Sequence, residues 1–268
     1  MKNNIWYKLF NKKDFSNNSN SKKIQSLKKN YSYKSFLLGS VIYPDLSYKK
    51  FLNIIKFQNS KLKIQKKSSL MDFGSGNGAF LFFFIKKYNL KKNFSLELSK
   101  PLILFQKKII KKTTFIQTHH YKITNLKKFT YGLVDNSICN SVFQYFTSEK
   151  YAKYVLEFLI KVTKKSILIY DIKNFETKNN YTEKVRKRQK LNRFDFIKKY
   201  KNTPIRFYKK KFFINVLDGL KLRYNFTYKF LKLPKDATDN KFGYCLLIKK
   251  KNGKIFVFKK INHRQSKR

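Results

Sequence analysis

The chain is 268 residues long and carries 63 Lys and Arg against 14 Asp and Glu, a formal net charge of +49. With 42% hydrophobic and 18% aromatic residues, disorder throughout is excluded, and the length suits one α/β domain with additions more than two independent folds. The two cysteines, Cys139 and Cys245, and the three histidines, His119, His120 and His263, show no ligand spacing, so no metal site is expected and a reducing compartment fits.

The charge has two readings. One is a polyanionic partner, with RNA foremost. The other is compositional bias, because Lys, Asn, Ile, Phe and Tyr, whose codons are rich in A and T, are over-used together. Only seven of the 63 basic residues are Arg, whereas a surface built to grip phosphate at two points favours Arg. Bias alone leaves the shortage of acids unexplained, so both readings stay open. The densest apolar run, Ala79 to Ile85, stops at Lys86-Lys87, short of a membrane span. The first 44 residues hold one acid, Asp14, no Arg and no apolar signal segment. A cytoplasmic protein without a membrane partner is the default expectation.

In chain order, residues 1–34 are rich in Asn, Ser and Lys around one apolar cluster, Trp6, Tyr7, Leu9 and Phe10, and read as a loosely held arm. From Tyr48 the near-helical spacing of Phe51, Leu52, Ile54 and Ile55 predicts a helix over 47–57 that pads the sheet or covers a site. Then comes Ser68-Ser-Leu-Met-Asp-Phe-Gly-Ser-Gly-Asn-Gly-Ala-Phe80. Leu70 to Phe73 is a short apolar strand, and Gly74, Gly76 and Gly78 form a turn that needs unusual backbone angles. Ala79 to Tyr88, free of Gly and Pro, is a helix whose N-terminus aims its N–H groups at that turn. The spacing also fits a dinucleotide loop with Ala79 last, or an ordinary glycine turn. Asp72 argues against a pyrophosphate, which a carboxylate repels, and for a ligand presenting a cationic amine.

On these residues the chain resembles the class I S-adenosylmethionine-dependent methyltransferases of the small-molecule kind. The resemblance implies a doubly wound, Rossmann-like α/β sheet, mostly parallel with an antiparallel C-terminal hairpin, and S-adenosylmethionine as cofactor. It implies cofactor contacts at Asp72, Phe73, Gly74, Ser75, Gly76 and Gly78, continuing at Glu97 and Leu98 and at Asn140 and Ser141. It also divides the chain into an N-terminal arm and helix (1–60), a methyltransferase domain (61–250) and a basic extension (251–268).

The remaining elements fit that frame. Asn93 to Ser99 reads as the second strand; Glu97, 19 residues after Gly78 (97 − 78), stands where an acid accepts hydrogen bonds from a ribose diol or, more blandly, faces solvent. Lys100-Pro101 opens a helix, and Thr114 to Gln117 is the third strand. Relatives place an acid after that strand for the adenine amino group. Here Thr118-His119-His120-Tyr121 holds none, leaving a histidine or backbone groups to stand in.

Val134 to Phe146 resembles the family's fourth-strand segment, putting Asn140 and Ser141 at the strand's ligand-binding edge. Phe143, Gln144 and Tyr145 would line the wall beside the transferable methyl, and Tyr145 either orients substrate or packs. Enzymes that methylate exocyclic base amines carry Asn or Asp, then Pro-Pro and an aromatic at this point, and Asn140-Ser-Val-Phe143 departs from that. A helix over 148–162 and a strand over 166–171 follow, with Asp171 at the tip. Residues 174–203 are a basic insertion, helical over 183–193, either a substrate-selecting lid or a solvated face. Phe207 to Leu217 predicts a last helix capped by Gly219, followed by strands over 222–228, 242–248 and 255–258. The expected partner is a small-molecule acceptor, a sugar or metabolite. RNA, bound by an enzyme or by an inactive fold, is the alternative.

Overall fold

The computed structural model describes residues 47–111, 113–118, 129, 132–201, 205–237 and 240–251. The predicted arm over 1–34, His119, His120 and the predicted strand over 255–258 lie outside these. Seven strands form one sheet: β1 (Ser69–Phe73), β2 (Lys92–Glu97), β3 (Thr113–Gln117), β4 (Val134–Asn140), β5 (Thr163–Lys173), β6 (Phe226–Lys232) and β7 (Gly243–Lys250), in the order β3-β2-β1-β4-β5-β7-β6. β1 to β5 run parallel, and β7 is antiparallel to both β5 and β6. The chain winds outward from β1 to β3, then returns to place β4 on the other side of β1. The order reverses between β1 and β4, which is where such sheets bind ligands, at the carboxyl ends of their strands.

Helices cover both faces. On one face α1 (Tyr48–Leu62) and α2 (Ala79–Tyr88) bury Phe51, Ile54, Ile55, Leu62, Leu81 and Phe84 against Leu70, Ile138, Leu168 and Tyr170. α3 (Lys100–Ile109) lies beside α2, with Phe105 and Ile109 on Ala79. On the other face α4 (Glu149–Val162) and α7 (Lys210–Lys221) pack Val155, Leu159, Phe213 and Leu217 on Met71, Ile167, Ile169 and Leu246. Serines start three helices, with Ser47, Ser99 and Ser148 each accepting a backbone N–H from three residues on, which satisfies donors that helices leave unpaired.

Three local expectations are corrected. Gly219 lies inside α7 instead of capping it, because one more step brings Leu220 into the core. The strand expected over 222–228 begins at Phe226, with Leu222 exposed in the preceding turn. The helix expected over 183–193 is two helices, α5 (Lys178–Arg188) and α6 (Arg193–Tyr200). Lys190 adopts a left-handed φ of 54°, and Asn192 caps α6 through the Asp195 N–H. No described helix is long and apolar enough to cross a membrane.

Candidate active site

Backbone geometry makes the β1–α2 loop a glycine loop. Gly74 and Gly78 take φ of +72° and +81°, the left-handed region that favours glycine. A Cβ on Gly74 would stand 2.4 Å from Val142 Cγ2, and one on Gly78 would stand 2.6 Å from Ile110 Cδ1. Both glycines therefore let neighbouring segments close on the loop as well as permitting the turn. The first N–H of α2 is partly answered by its own loop, as Asn77 Oδ1 accepts from Ala79 N at 3.2 Å.

A buried polar network tethers the loop to β2 and α3. Gln106 Nε2 donates to Gly76 O at 2.7 Å and to Ser75 Oγ at 2.9 Å, while its Oε1 accepts from Ser95 Oγ at 2.6 Å. Ser75 and Ser95 join their hydroxyls at 2.7 Å. Glu97, at the tip of β2, turns its carboxylate back onto the same loop. Oε2 accepts from Gly76 N at 2.7 Å, and Oε1 accepts from the N–H groups of Leu98 at 2.8 Å and Ser99 at 2.9 Å. Of the roughly four lone-pair positions of a carboxylate, one remains for a ligand. Burial raises the Glu97 pKa, and the three N–H bonds oppose the rise.

Asp72 behaves differently. It is 1% exposed, and neither carboxyl oxygen has a hydrogen-bond partner. Burial first, and the Glu97 charge second, push its pKa up to about 8, so at neutral pH it holds a proton. Two more buried atoms near the switch point lack partners. Asn140 ends β4 and accepts from Gln58 Nε2 of α1 at 2.8 Å, leaving Asn140 Nδ2 and Gln58 Oε1 unmet. Buried polar groups are nearly always paired. A polar ligand at this edge would supply partners for these groups.

The predicted site residues thus divide. Asp72, Glu97 and Asn140 lie buried at the carboxyl ends of β1, β2 and β4, where the strand order reverses. Gly74, Ser75, Gly76 and Gly78 form and brace the β1–α2 loop, and Leu98 contributes its backbone. Phe73 buries its ring against Phe146 and Phe158. Ser141 turns towards β5, where its hydroxyl donates to Asp171 Oδ2 at 2.6 Å. Sequence reasoning missed Gln58 and Gln106. Each is a lone glutamine on an otherwise apolar helical stripe, 51-54-55-58-62 in α1 and 102-103-106 in α3, and that placement was the available signal.

A second polar cluster lies at the tips of β4 and β5. Lys173 Nζ is 3.0 and 3.3 Å from the two oxygens of Asp171, with both side chains under a tenth exposed, and it sits 4.9 Å from the Tyr181 ring centroid. Tyr145 stands nearby, its phenol pushed up to about 12 by burial first and Tyr181 next, with Lys173 opposing. The turn that carries it is pinned by three bonds from Arg206, to the carbonyls of Gln144, Phe146 and Thr147, and by Tyr208 Oη on Phe143 O. Among the described residues, no group of three or more His, Cys, Asp and Glu could hold a metal ion.

Neither a protein-family model nor a curated protein sequence matches the chain. Solved structures do match. The small RNA methyltransferase HEN1 aligns at a TM-score of 0.54 and 16% identity over 79% of this chain; the chain spans only 26% of that protein's length. Magnesium protoporphyrin IX methyltransferase from Synechocystis, solved with bound S-adenosylmethionine, aligns at 0.52 and 9% over 88% of this chain and 99% of that one. Geranyl diphosphate C-methyltransferase from Streptomyces coelicolor, solved with S-adenosyl-L-homocysteine, aligns at 0.51 and 11% over 75% and 79%. The fold is that of the class I methyltransferases, and its representatives act on unrelated acceptors.

Proposed function

We propose that the chain is an S-adenosylmethionine-dependent methyltransferase acting on a small-molecule acceptor, a sugar or another metabolite. The observation that carries this is the buried, unpartnered carboxyl of Asp72 beside a glycine loop held open by Glu97 and Gln106. S-adenosylmethionine supplies an electrophilic methyl on a sulfonium centre, together with an ammonium group that would pair with Asp72 once the carboxyl gives up its proton. Glu97 keeps one lone pair for a ribose hydroxyl, and Gln58 and Asn140 offer one acceptor and one donor to the polar amino-acid end. The chain's work is then alignment and exclusion of water. A small acceptor is favoured because α5 closes over the tips of β4 and β5, with Tyr181 against Lys173, Phe207 and Phe242.

Calorimetric titration with S-adenosylmethionine and S-adenosyl-L-homocysteine tests the reading. Micromolar binding that disappears in Asp72→Ala is expected; a folded protein that binds neither would overturn it. One observation favours a second reading, an RNA acceptor. On α6, Phe194 and Ile197 are 75% and 65% exposed among Arg193, Lys198 and Lys199, and exposed aromatics interleaved with cations suit single-stranded nucleic acid. Poly(U) binding that falls steeply with salt and is lost in Phe194→Ala would move that reading to first place.

A further inference from the structure

The buried cluster at the tips of β4 and β5 is built at some expense to the fold. Ser141 directly follows β4 and Asp171 lies two residues before the end of the adjacent β5, and both adopt left-handed φ, 53° and 59°, without being glycine. Ser141 is tied to β5 twice, its N–H donating to Tyr170 O at 2.9 Å and its hydroxyl to Asp171 Oδ2 at 2.6 Å. The pairing of β5 with β7 shifts register between Ile169 and Ile172, which frees Asp171 from the ladder. Gly243 on β7 makes room for it, since a Cβ there would lie 3.0 Å from Asp171 Oδ1 and 2.9 Å from Ile172 O. Strained residues of this kind persist where the surroundings over-determine them, and they gather at functional sites. Around the Asp171 carboxylate stand Lys173 on its own strand, Tyr145 on the turn after β4, Tyr181 on α5 and the buried Cys245 thiol on β7.

Beside the cluster, on the same turn as Tyr145, Gln144 is 3% exposed and its Oε1 has no hydrogen-bond partner. An unmet carbonyl oxygen asks a ligand for an O–H or N–H. Asp171 and Lys173 are paired with each other, so the ammonium is not an unopposed charge for an anionic ligand. The Asp171 carboxylate accepts three hydrogen bonds, two from Lys173 and one from Ser141, leaving room for a fourth. A neutral amine can attack a methyl group without losing a proton first, whereas a hydroxyl gains nucleophilicity only as its proton leaves, and a positioned carboxylate serves that need.

We propose that this cluster is the acceptor subsite, and that it takes an uncharged hydroxyl compound held by Gln144 Oε1 and deprotonated by Asp171. The inference rests on the methyltransferase reading above. As the acceptor's O–H bond breaks, its proton passes to the free lone pair of Asp171. The acceptor oxygen bonds to the methyl carbon, and the electron pair of the broken C–S bond stays on sulfur, which neutralises the sulfonium. Lys173 and Ser141 hold the carboxylate in place.

The test uses the full chain saturated with S-adenosyl-L-homocysteine, probed by saturation-transfer NMR. The probes are catechol and methyl α-D-glucopyranoside as neutral hydroxyl compounds, benzylamine as an amine, and benzoate and adenosine monophosphate as anions. The expected result is signal from a hydroxyl probe that falls at least tenfold in Gln144→Leu while S-adenosyl-L-homocysteine affinity is unchanged. For a probe that also accepts methyl, Asp171→Asn should lower kcat about a hundredfold with little change in KM, as loss of a general base does, and Asp171→Glu should restore part of it. Binding confined to the amine or the anions, or to none of the five, overturns the proposal, as does a hydroxyl signal that Gln144→Leu leaves intact. Failure of S-adenosyl-L-homocysteine to bind at all is the separate failure of the cofactor reading, and the subsite falls with it.

Discussion

Asp72→Asn isolates the burden that the site places on the fold. The carboxyl of Asp72 moves from 3.8 to about 8 on folding, the reverse of the usual shift for an aspartate in a salt bridge. Below pH 3.8 it is protonated in the folded and unfolded chains alike. Between about 4 and 8 only the unfolded chain ionises, so the folded state loses stability as pH rises, and above 8 the loss levels off. At about 1.4 kcal/mol per pH unit, that loss is about 4 kcal/mol at pH 7 and about 2 kcal/mol at pH 5. Asparagine has no such titration. Urea melts should therefore show the variant gaining on the parent by about 2 to 3 kcal/mol between pH 5 and pH 7. The amide's own unmet hydrogen bonds offset the comparison by a constant, which makes the slope the deciding quantity. A difference between the two proteins that does not change with pH would refute the reasoning, since Asp72 would then be hydrated or paired in solution.

The same carboxyl governs ligand affinity. If a cationic amine draws the proton from Asp72, S-adenosyl-L-homocysteine should bind the parent more tightly as pH rises from 6 to 8, with proton release visible when calorimetry is repeated in buffers of different ionisation enthalpy. Asp72→Asn should show neither effect. Glu97→Ala strands three backbone N–H groups and should lower both cofactor affinity and Tm, at about 1 to 3 kcal/mol for each buried donor left unmet; an unchanged Tm would mean that the loop holds its shape without Glu97. Gly74→Ala should destabilise the fold by about 2 to 5 kcal/mol, combining left-handed strain with the clash on Val142. Adding Val142→Ala should recover the steric share alone, and full recovery would contradict the φ assignment. Gln58→Leu should weaken cofactor binding about tenfold and lower Tm modestly, because it removes an unmet buried oxygen but also the donor that Asn140 Oδ1 accepts from; unchanged affinity would take α1 out of the cofactor site.

The parts of the site that were legible in the sequence are those written as local backbone rules. Three alternating glycines after an apolar run mark a turn whatever surrounds it, and Ser148 announces α4 because capping is a local bond. The acids at strand tips could be read for position but not for orientation. Glu97 bends back onto Gly76 because the loop offers it N–H groups, a fact of two segments meeting. Gln58 and Gln106 act through tertiary contacts and leave only a misplaced polarity on an apolar stripe. Gly219 read as a stop, since a glycine near a helix end usually is one, yet the burial of Leu220 outweighs the intrinsic cost of about 1 kcal/mol. The Asp171–Lys173 pair lay hidden because a register shift between β5 and β7 has no sequence signature beyond Gly243.

The strand order also has a consequence in time. β1 finds β2 within a few dozen residues, but its other neighbour is β4, with Leu70 opposite Asn136 and Asp72 opposite Ile138. A nascent chain emerging from the ribosome can pair β1 with β2 and hold a glycine loop while Asp72 still stands in water. Only when β4 slots in beside it is the carboxyl dehydrated. The most expensive burial in the pocket is thereby deferred to the last and most distant pairing of the centre. Any early opening of the β1–β4 seam would relieve it first, which makes that seam the natural weak line along which an empty protein parts and a loaded one stays shut.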